Sequence, residues 1–319
     1  MDLNSRQQDA WQFWKQFGDH PVCLAPMVEM GNLAFRTLVR KYNVDICWTG
    51  MINSNQWNMS KKYQQASFQT NENDRPLVGQ ISGSFDADLL STAESLSAVC
   101  DALDINLGCC QKVAKRGNYG YYLVDTENKR QNVLKLVNQI SEKINIPLCV
   151  KIRMIEDDIN LTVNFAKELE KAGAKIITIH ARSAQQDKKG EANITSIKEI
   201  VNAVKIPVIA NGGINSKEMS KKVLDESGAA GIMVGQALLN NPALFSENSG
   251  ISRFQIAREF LEIAKKVNCP LDTTRRHMFY MFDEFLGNYN EYRRNLSCSN
   301  SFDEVENFIS FLESKVENK

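Results

Sequence analysis

From residue 20 to about 250 the chain alternates short apolar runs with segments whose apolar positions recur every three or four residues. The apolar runs are VCLAP (22–26), VDICWTG (44–50), PLVGQIS (76–82), ALDIN (102–106), PLCVKIR (147–153), KIITIH (175–180), PVIAN (207–211) and AGIMVG (230–235). Most are apolar without alternation, as expected of parallel strands covered on both faces. Helical periodicity fills 85–99, 127–143, 159–172, 195–204 and 216–227. Eight βα units in about 225 residues predict a (β/α)8, or TIM, barrel over 20–250, a fold that typically takes about 250 residues. An open doubly wound sheet is the alternative, disfavoured because no G-x-G-x-x-G follows the first run.

Near residue 250 the pattern changes. GISRFQ breaks the alternation, and the remainder reads as helices at about 253–267, 273–294 and 302–316, which predicts a C-terminal helical domain over 251–319. Residues 1–19 read as an amphipathic N-terminal helix whose adhesive face carries Trp11, Phe13, Trp14 and Phe17.

Composition narrows the setting. The chain has 319 residues, 43% of them hydrophobic and 24% charged, with formal net charge zero. Bulk charge therefore does not recommend it as a nucleic-acid binder, although a local basic face stays open. No run approaches the roughly 20 apolar residues of a membrane span. The eight cysteines form no CxxC pair and no zinc-finger spacing, so no metal site is expected. Cys23, Cys47 and Cys149 sit inside apolar runs and read as buried, reduced thiols. The expected location is cytoplasmic, with the nucleus also open.

Chemistry in such a barrel gathers where the strands end. Here those positions are polar: Ala25-Pro26-Met27, Gln80, Asn106 with Gly108-Cys109, Lys151 and Arg153, His180 and Arg182, Asn211-Gly212-Gly213, and Gly235-Gln236. Any one could be a satisfied core group; their recurrence at one end of successive strands is harder to dismiss. Glycines after the seventh and eighth runs suit a phosphate, because glycine lets backbone N–H groups approach an anion. Simple turn glycines are the plainer alternative. A flavin would use such a mixture of donors and acceptors, and another phosphorylated ligand would fit as well.

Taken together, LAPMVEMGNLAFRTLVRKY (24–42), DINLGCCQKVAKRG (104–117), VKIR (150–153), TIHARS (178–183), PVIANGGI (207–214) and GIMVGQALLNNPALF (231–245) resemble the tRNA-dihydrouridine synthases. The resemblance spans nearly all of 20–319. It implies FMN as cofactor, NADPH (or NADH) as reductant and tRNA as substrate. It also implies that Ala25, Pro26 and Met27 line the flavin, with Gln80, Asn106, Lys151 and His180 near its ring. Asn211, Gly212, Gly213, Gly235 and Gln236 would hold the phosphate end. The family's catalytic cysteine falls on Cys109.

That assignment makes chemical sense. Reducing the 5,6 double bond of uracil needs a hydride at carbon 6 and a proton at carbon 5. A thiol, with a reference pKa of about 8.5, is mostly protonated at neutral pH and can still give its proton up. Cys110 then occupies the family's proline position as a bystander; a disulfide between adjacent cysteines would close a strained ring. Lys112, Lys115 and Arg116 follow the acid and could contact phosphates around an extruded base, as could Arg153 and Arg182. Each could equally be a solvated loop residue. Further basic pairs occur at Lys61-Lys62, Arg275-Arg276 and Arg293-Arg294, the last two pairs in the segment where the family grips tRNA.

Cys110, Gln236 and Gly50 depart from the family pattern, where proline, arginine and glutamate or proline are common. LAFRTLVRKY and RRHMFYMFDEFLG (275–287) look most like enzymes acting at positions 20a and 20b, whereas QKVAKRGNYG looks more like those acting at 16 and 17. The competing readings are a small-molecule flavin ene-reductase or dihydroorotate-type dehydrogenase, and a catalytically weak RNA-binding protein on the same scaffold.

Overall fold

The computed structural model describes residues 3–84, 87–187, 189–248, 250–287 and 289–317. Residues 85 and 86 of the helix expected over 85–99, and residues 1 and 2, lie outside it. Nine parallel strands occur among the described residues: β1 (Val22–Leu24), β2 (Ile46–Trp48), β3 (Ile52–Asn53), β4 (Leu77–Ser82), β5 (Ala102–Leu107), β6 (Leu148–Met154), β7 (Ile176–Ser183), β8 (Val208–Asn211) and β9 (Gly231–Val234). Their order is β2-β1-β9-β8-β7-β6-β5-β4-β3, and a further β2–β4 pairing closes the sheet into a barrel.

The ninth strand is a correction to the expected count, but it adds no stave. β2 pairs with β4 at Cys47 opposite Leu77, and β3 pairs with the same strand farther on, at Ile52 opposite Ile81. β2 and β3 are thus one stave interrupted at Thr49–Met51. There Thr49 Oγ1 accepts from the backbone N–H of Gln80 (3.0 Å).

Residues two apart on a strand share a face. Near the N-terminal ends of the strands the inward positions are apolar: Cys23, Ile46, Val78, Ala102, Cys149, Ile176, Ile209 and Met233 belong to one buried cluster with Trp48. Trp14 joins it from the helix Leu3–Trp14 and donates its indole N–H to the Ala230 carbonyl (3.1 Å). The N-terminal helix therefore plugs the bottom of the barrel. Farther along the same faces the residues turn polar: Gln80, Asp104, Asn106, Lys151, Thr178, His180 and Asn211. Layered apolar filling below and polar residues above put the chemistry at the C-terminal mouth.

The helices between strands follow the periodicity closely, for example Glu127–Lys143 and Ile159–Ala172. The latter starts on the Asp158 cap, which accepts from Leu161 N (3.0 Å), and stops at Gly173. The expected helix over 273–294 is instead broken into Leu271–Met281, Asp283–Leu286 and Asn290–Cys298. The break brings Phe282 and Phe285 back over Phe254 of the helix Arg253–Lys266, with ring centroids 5.4 and 5.7 Å away. Packing both aromatics against Phe254 outweighs continuing the helix.

The C-terminal helices share one continuous core with the outer face of the barrel. Phe35, on the helix Leu33–Arg40, stacks 4.6 Å from His277 and lies 6.5 Å from Phe260. His277 is fully buried, and its Nε2 is 2.8 Å from Asn32 Nδ2. Arg276 pairs with Glu29 across the same seam.

Candidate functional site at the barrel mouth

β5 delivers the chain to the mouth at Asn106. The Asn106 side-chain oxygen accepts from the backbone N–H groups of Gly108 (3.1 Å) and Cys109 (3.0 Å), folding the loop sharply back over the strand end. On the other side, the Cys109 carbonyl accepts from Tyr121 N (3.0 Å). Gly120, at φ +65°, passes so close that a methyl group there would lie 2.6 Å from the Cys109 carbonyl oxygen. Cys109 is partly exposed. Its position on the loop is therefore held by backbone contacts on two sides while the thiol retains access.

Cys110 points elsewhere. Its Sγ lies 3.5 Å from Asp187 Oδ1, and its carbonyl accepts from Tyr122 OH (2.9 Å). Burial pushes its thiol up from the usual range. All eight cysteines are free thiols. Cys23, Cys47 and Cys149 are buried as expected, and burial raises each, Cys47 to about 12.

Beneath the Cys109 loop runs a chain of side-chain hydrogen bonds. Trp48 Nε1 (3.1 Å) and Gln80 Nε2 (2.7 Å) both donate to Asp104 Oδ2. Asn106 Nδ2 donates to Gln80 Oε1 (2.9 Å). Asp104 is fully buried, and burial raises its carboxyl to about 7 despite the hydrogen bond from Gln80 and the nearby Lys151 charge. Lys151 donates to Asn211 Oδ1 (2.9 Å); burial and the Arg153 charge lower its ammonium to about 8. Asn211 Nδ2 in turn donates to the Met233 carbonyl (2.8 Å).

His180 follows on β7. Burial, then the Lys151, Arg153 and Arg182 charges, push its imidazole far below the ordinary range, so it is neutral at physiological pH. Next to it, Gly212 and Gly213 take φ +109° and +76°. A methyl on Gly212 would stand 3.4 Å from His180 Nε2, and one on Gly213 3.6 Å from Arg182 Nη2. A methyl on Gly235 would approach Ala25 Cβ (3.3 Å) and Met27 Sδ (3.4 Å). The ends of β1, β7, β8 and β9 thus form one lip lined by glycine backbone, with Pro26 between Ala25 and Met27.

Four residues have side-chain polar groups engaged within the protein. Arg153 was expected at the substrate face but is buried, donating to the carbonyls of Gly108 (3.0 Å), Ser183 (2.7 Å) and Asp187 (2.8 Å). It ties the Cys109 loop to the loop after β7. The Asn106 amide is spent on Gln80 and the Cys109 loop, and the Asn211 amide on Lys151 and Met233. Gln236 is exposed and donates to Asn240 Oδ1 (2.9 Å) on its own short helix.

Of the basic residues, Lys112, Lys115 and Arg116 lie exposed on the helix Lys112–Arg116 immediately beyond Cys109. Lys61, Lys62, Arg293 and Arg294 are also exposed. Arg275 is drawn back onto the carbonyls of Ser297 (2.8 Å) and Ser299 (2.7 Å) and pairs with Asp272. Arg182 donates through Nε to the Gly190 carbonyl (2.9 Å).

Three residues that matter to this geometry escaped sequence reasoning. Asp104 had a signal, a carboxylate inside the apolar run ALDIN. Trp48 and Gly120 had none, because their partners lie far along the chain or depend on backbone conformation. A cavity of about 620 Å³ bordered by Asp9, Phe13, Ile144 and Lys175 belongs to the opposite, N-terminal end of the barrel. Among the described residues, no helix is long and apolar enough to cross a membrane.

A family model described as "Dihydrouridine synthase (Dus)" matches residues 23–315. The mouse protein named tRNA-dihydrouridine(16/17) synthase [NAD(P)(+)]-like is 32% identical over 292 residues, which cover 90% of this chain and 60% of that protein. The human tRNA-dihydrouridine(20a/20b) synthase [NAD(P)+]-like is 37% identical over 269 residues, 82% of each chain. The Saccharomyces cerevisiae tRNA-dihydrouridine(16/17) synthase [NAD(P)(+)] is 30% identical over 307 residues, 91% of this chain and 72% of the yeast protein. The chain thus spans about 60% of the length of the mouse relative.

Proposed function

Because the chain belongs to the Dihydrouridine synthase (Dus) family, we propose that it is an FMN-dependent enzyme that reduces the 5,6 double bond of a D-loop uridine in tRNA, with NADPH or NADH as reductant. The observation that carries the reading is the placement of Cys109. Its loop is pinned by Asn106 and Gly120 at the same end of the barrel as the lip formed by Ala25, Met27, His180, Gly212, Gly213 and Gly235.

The lip fits a flavin phosphate and ring system. Gly212 and Gly213 hold left-handed φ values of +109° and +76° that favour glycine, and a methyl on Gly235 would stand 3.3 Å from Ala25 Cβ, so the lip keeps backbone N–H groups open to a close-lying ligand. Gly212, Gly213, Gly235 and Gln236 would hold the phosphate end; Asn211 would contribute by fixing Lys151. Ala25, Pro26 and Met27 would line the ring, with Gln80, Lys151 and His180 near it. When bound, the flavin supplies the hydride for carbon 6 of the uracil.

The chain supplies the rest. Cys109 gives the proton to carbon 5 from the opposite face of the base. Lys151, positioned by Asn211, offers a hydrogen-bond donor whose charge is set by its burial. His180 stays neutral and donates or accepts without adding charge. Lys112, Lys115 and Arg116 hold phosphates flanking the extruded nucleotide, with Arg182 on the adjacent loop. Exposed basic residues of the C-terminal helices, Arg276 and Arg293 among them, extend the contact to the body of the tRNA.

For the uridine itself we take position 20a/20b, supported by LAFRTLVRKY and RRHMFYMFDEFLG and by the identity to the human protein of that name. Positions 16/17 are the second reading, favoured by QKVAKRGNYG and by the longer match to the mouse and yeast proteins. Purified protein should be yellow with a flavin spectrum, and with NADPH should convert unmodified tRNA to dihydrouridine at 20a/20b. Conversion at 16/17 alone would select the second reading. A protein that cannot be loaded with FMN, or that leaves tRNA uridines intact, would contradict both.

A further inference from the structure

Resting on that reading, the geometry points to Asp104 as a positioning residue that sets the Cys109 loop through Gln80 and Asn106. Hydrogen-bond polarity sets the order of the links. An amide side chain can be turned either way, presenting oxygen or nitrogen to a given neighbour. Asp104 is buried at the closed end of the chain, and its Oδ2 accepts from the Trp48 indole N–H, a group that can only donate, so this oxygen is fixed as an acceptor. It therefore draws the nitrogen of Gln80, at 2.7 Å, and leaves the Gln80 oxygen facing Asn106. That oxygen draws the nitrogen of Asn106, at 2.9 Å. The Asn106 oxygen is then obliged to face the N–H groups of Gly108 and Cys109, at 3.1 and 3.0 Å.

If either amide turned over, an N–H group would confront the N–H groups of the loop, and the turn that presents the thiol would lose its acceptor. Trp48, donating to the same oxygen of Asp104, fixes the carboxylate in the barrel interior. The three links, Asp104, Gln80 and Asn106, come from adjacent strands β4 and β5. The rigid sheet thereby controls a residue on a loop, as a site requiring sub-ångström placement demands.

Asp104 Oδ2 receives both hydrogen bonds, and Oδ1 has no partner among the described residues. Asp104→Asn with its oxygen in the Oδ2 place retains the whole chain, at the cost of a buried unpaired NH2 that lowers the melting temperature. Asp104→Leu removes the anchor, and Gln80→Leu cuts the chain one link later.

The measurement is amide hydrogen exchange of the full-length protein, read on the Gly108 and Cys109 amides with β8 as internal control. It needs no turnover. Asp104→Leu and Gln80→Leu should each lose about tenfold of protection at Gly108 and Cys109 while β8 keeps its own. Asp104→Asn should keep that protection although it melts lower. In tRNA reduction, Asp104→Leu should lower kcat at least about tenfold with KM for tRNA unchanged, and Asp104→Asn should restore most of it. Unchanged protection in Asp104→Leu, or loss of it in Asp104→Asn as large as in Asp104→Leu, would overturn the proposal. Should Asp104→Leu not fold, Gln80→Leu and Asp104→Asn decide by the same criteria. A wild-type protein without tRNA activity would sink the assigned reaction and leave the exchange result to decide on Asp104.

Discussion

Gly120 shows how narrowly single residues confine the Cys109 loop. Its φ of +65° favours glycine, and an added methyl would lie 2.6 Å from the Cys109 carbonyl oxygen and 2.9 Å from Cys109 Cβ. Gly120→Ala should therefore displace the loop, lower stability by about 1–3 kcal/mol and reduce turnover more than tRNA binding; urea unfolding and steady-state kinetics check both parts. His277 carries a different single-residue prediction. It is buried between Phe35 and Phe260, and burial lowers its imidazole to about 3. Below the ordinary histidine value of about 6.5 the unfolded chain binds a proton that the folded chain refuses. Stability due to this group is thus full above that value and is lost as pH falls from about 6.5 toward 3. His277→Phe, which keeps the aromatic stack, should lose about 1.5 kcal/mol less than wild type on going from pH 6.5 to 5.0 in urea unfolding. Cys109, Lys151 and the glycines were legible as candidates because type and position sufficed. The roles of Asp104, Arg153 and Asn211 were not, because each is defined by a partner on another strand.

Elements were read more reliably where burial is one-sided. The helices Glu127–Lys143 and Ile159–Ala172 begin and end where the periodicity places them, since each lays one apolar face on the sheet. The region 273–294 defeated the same reasoning because Phe282 and Phe285 both pack over Phe254, and period alone does not reveal a turn inserted to satisfy that contact. The split stave of β2 and β3 was hidden because a two-residue strand carries no pattern. The N-terminal helix was legible as amphipathic, but its role as barrel plug emerges only from its contacts. Trp14 is 1% exposed, and a methyl on Gly231 would lie 2.8 Å from Trp14 Cζ2 and 2.7 Å from the Pro21 carbonyl oxygen. Trp14→Ala should cost about 3–5 kcal/mol through the void it leaves. Because the plug lies at the far end of the barrel, the turnover of molecules that remain folded should be unchanged, which calorimetry together with activity at low temperature would show.

At the scale of the whole molecule, net charge is zero, so the proposed attraction for tRNA has to come from placement. The helix Lys112–Arg116 sets three exposed cations beside Cys109. Replacing Lys112, Lys115 and Arg116 together by glutamine should flatten the log–log salt dependence of tRNA binding by roughly 2, at about 0.7 per contact to single-stranded phosphate. The C-terminal helices share a continuous core with the barrel's outer layer, and the Phe35–His277–Phe260 stack joins the two. The protein should accordingly unfold in a single cooperative transition. The central claim is that Cys109 delivers the proton that completes uracil reduction, and Cys109→Ala tests it most directly. With FMN-loaded protein and unmodified tRNA, the variant should have its flavin reduced by NADPH and bind tRNA as wild type does, yet form dihydrouridine at a rate lower by at least about a hundredfold. Dihydrouridine formation at the wild-type rate by Cys109→Ala would contradict the account.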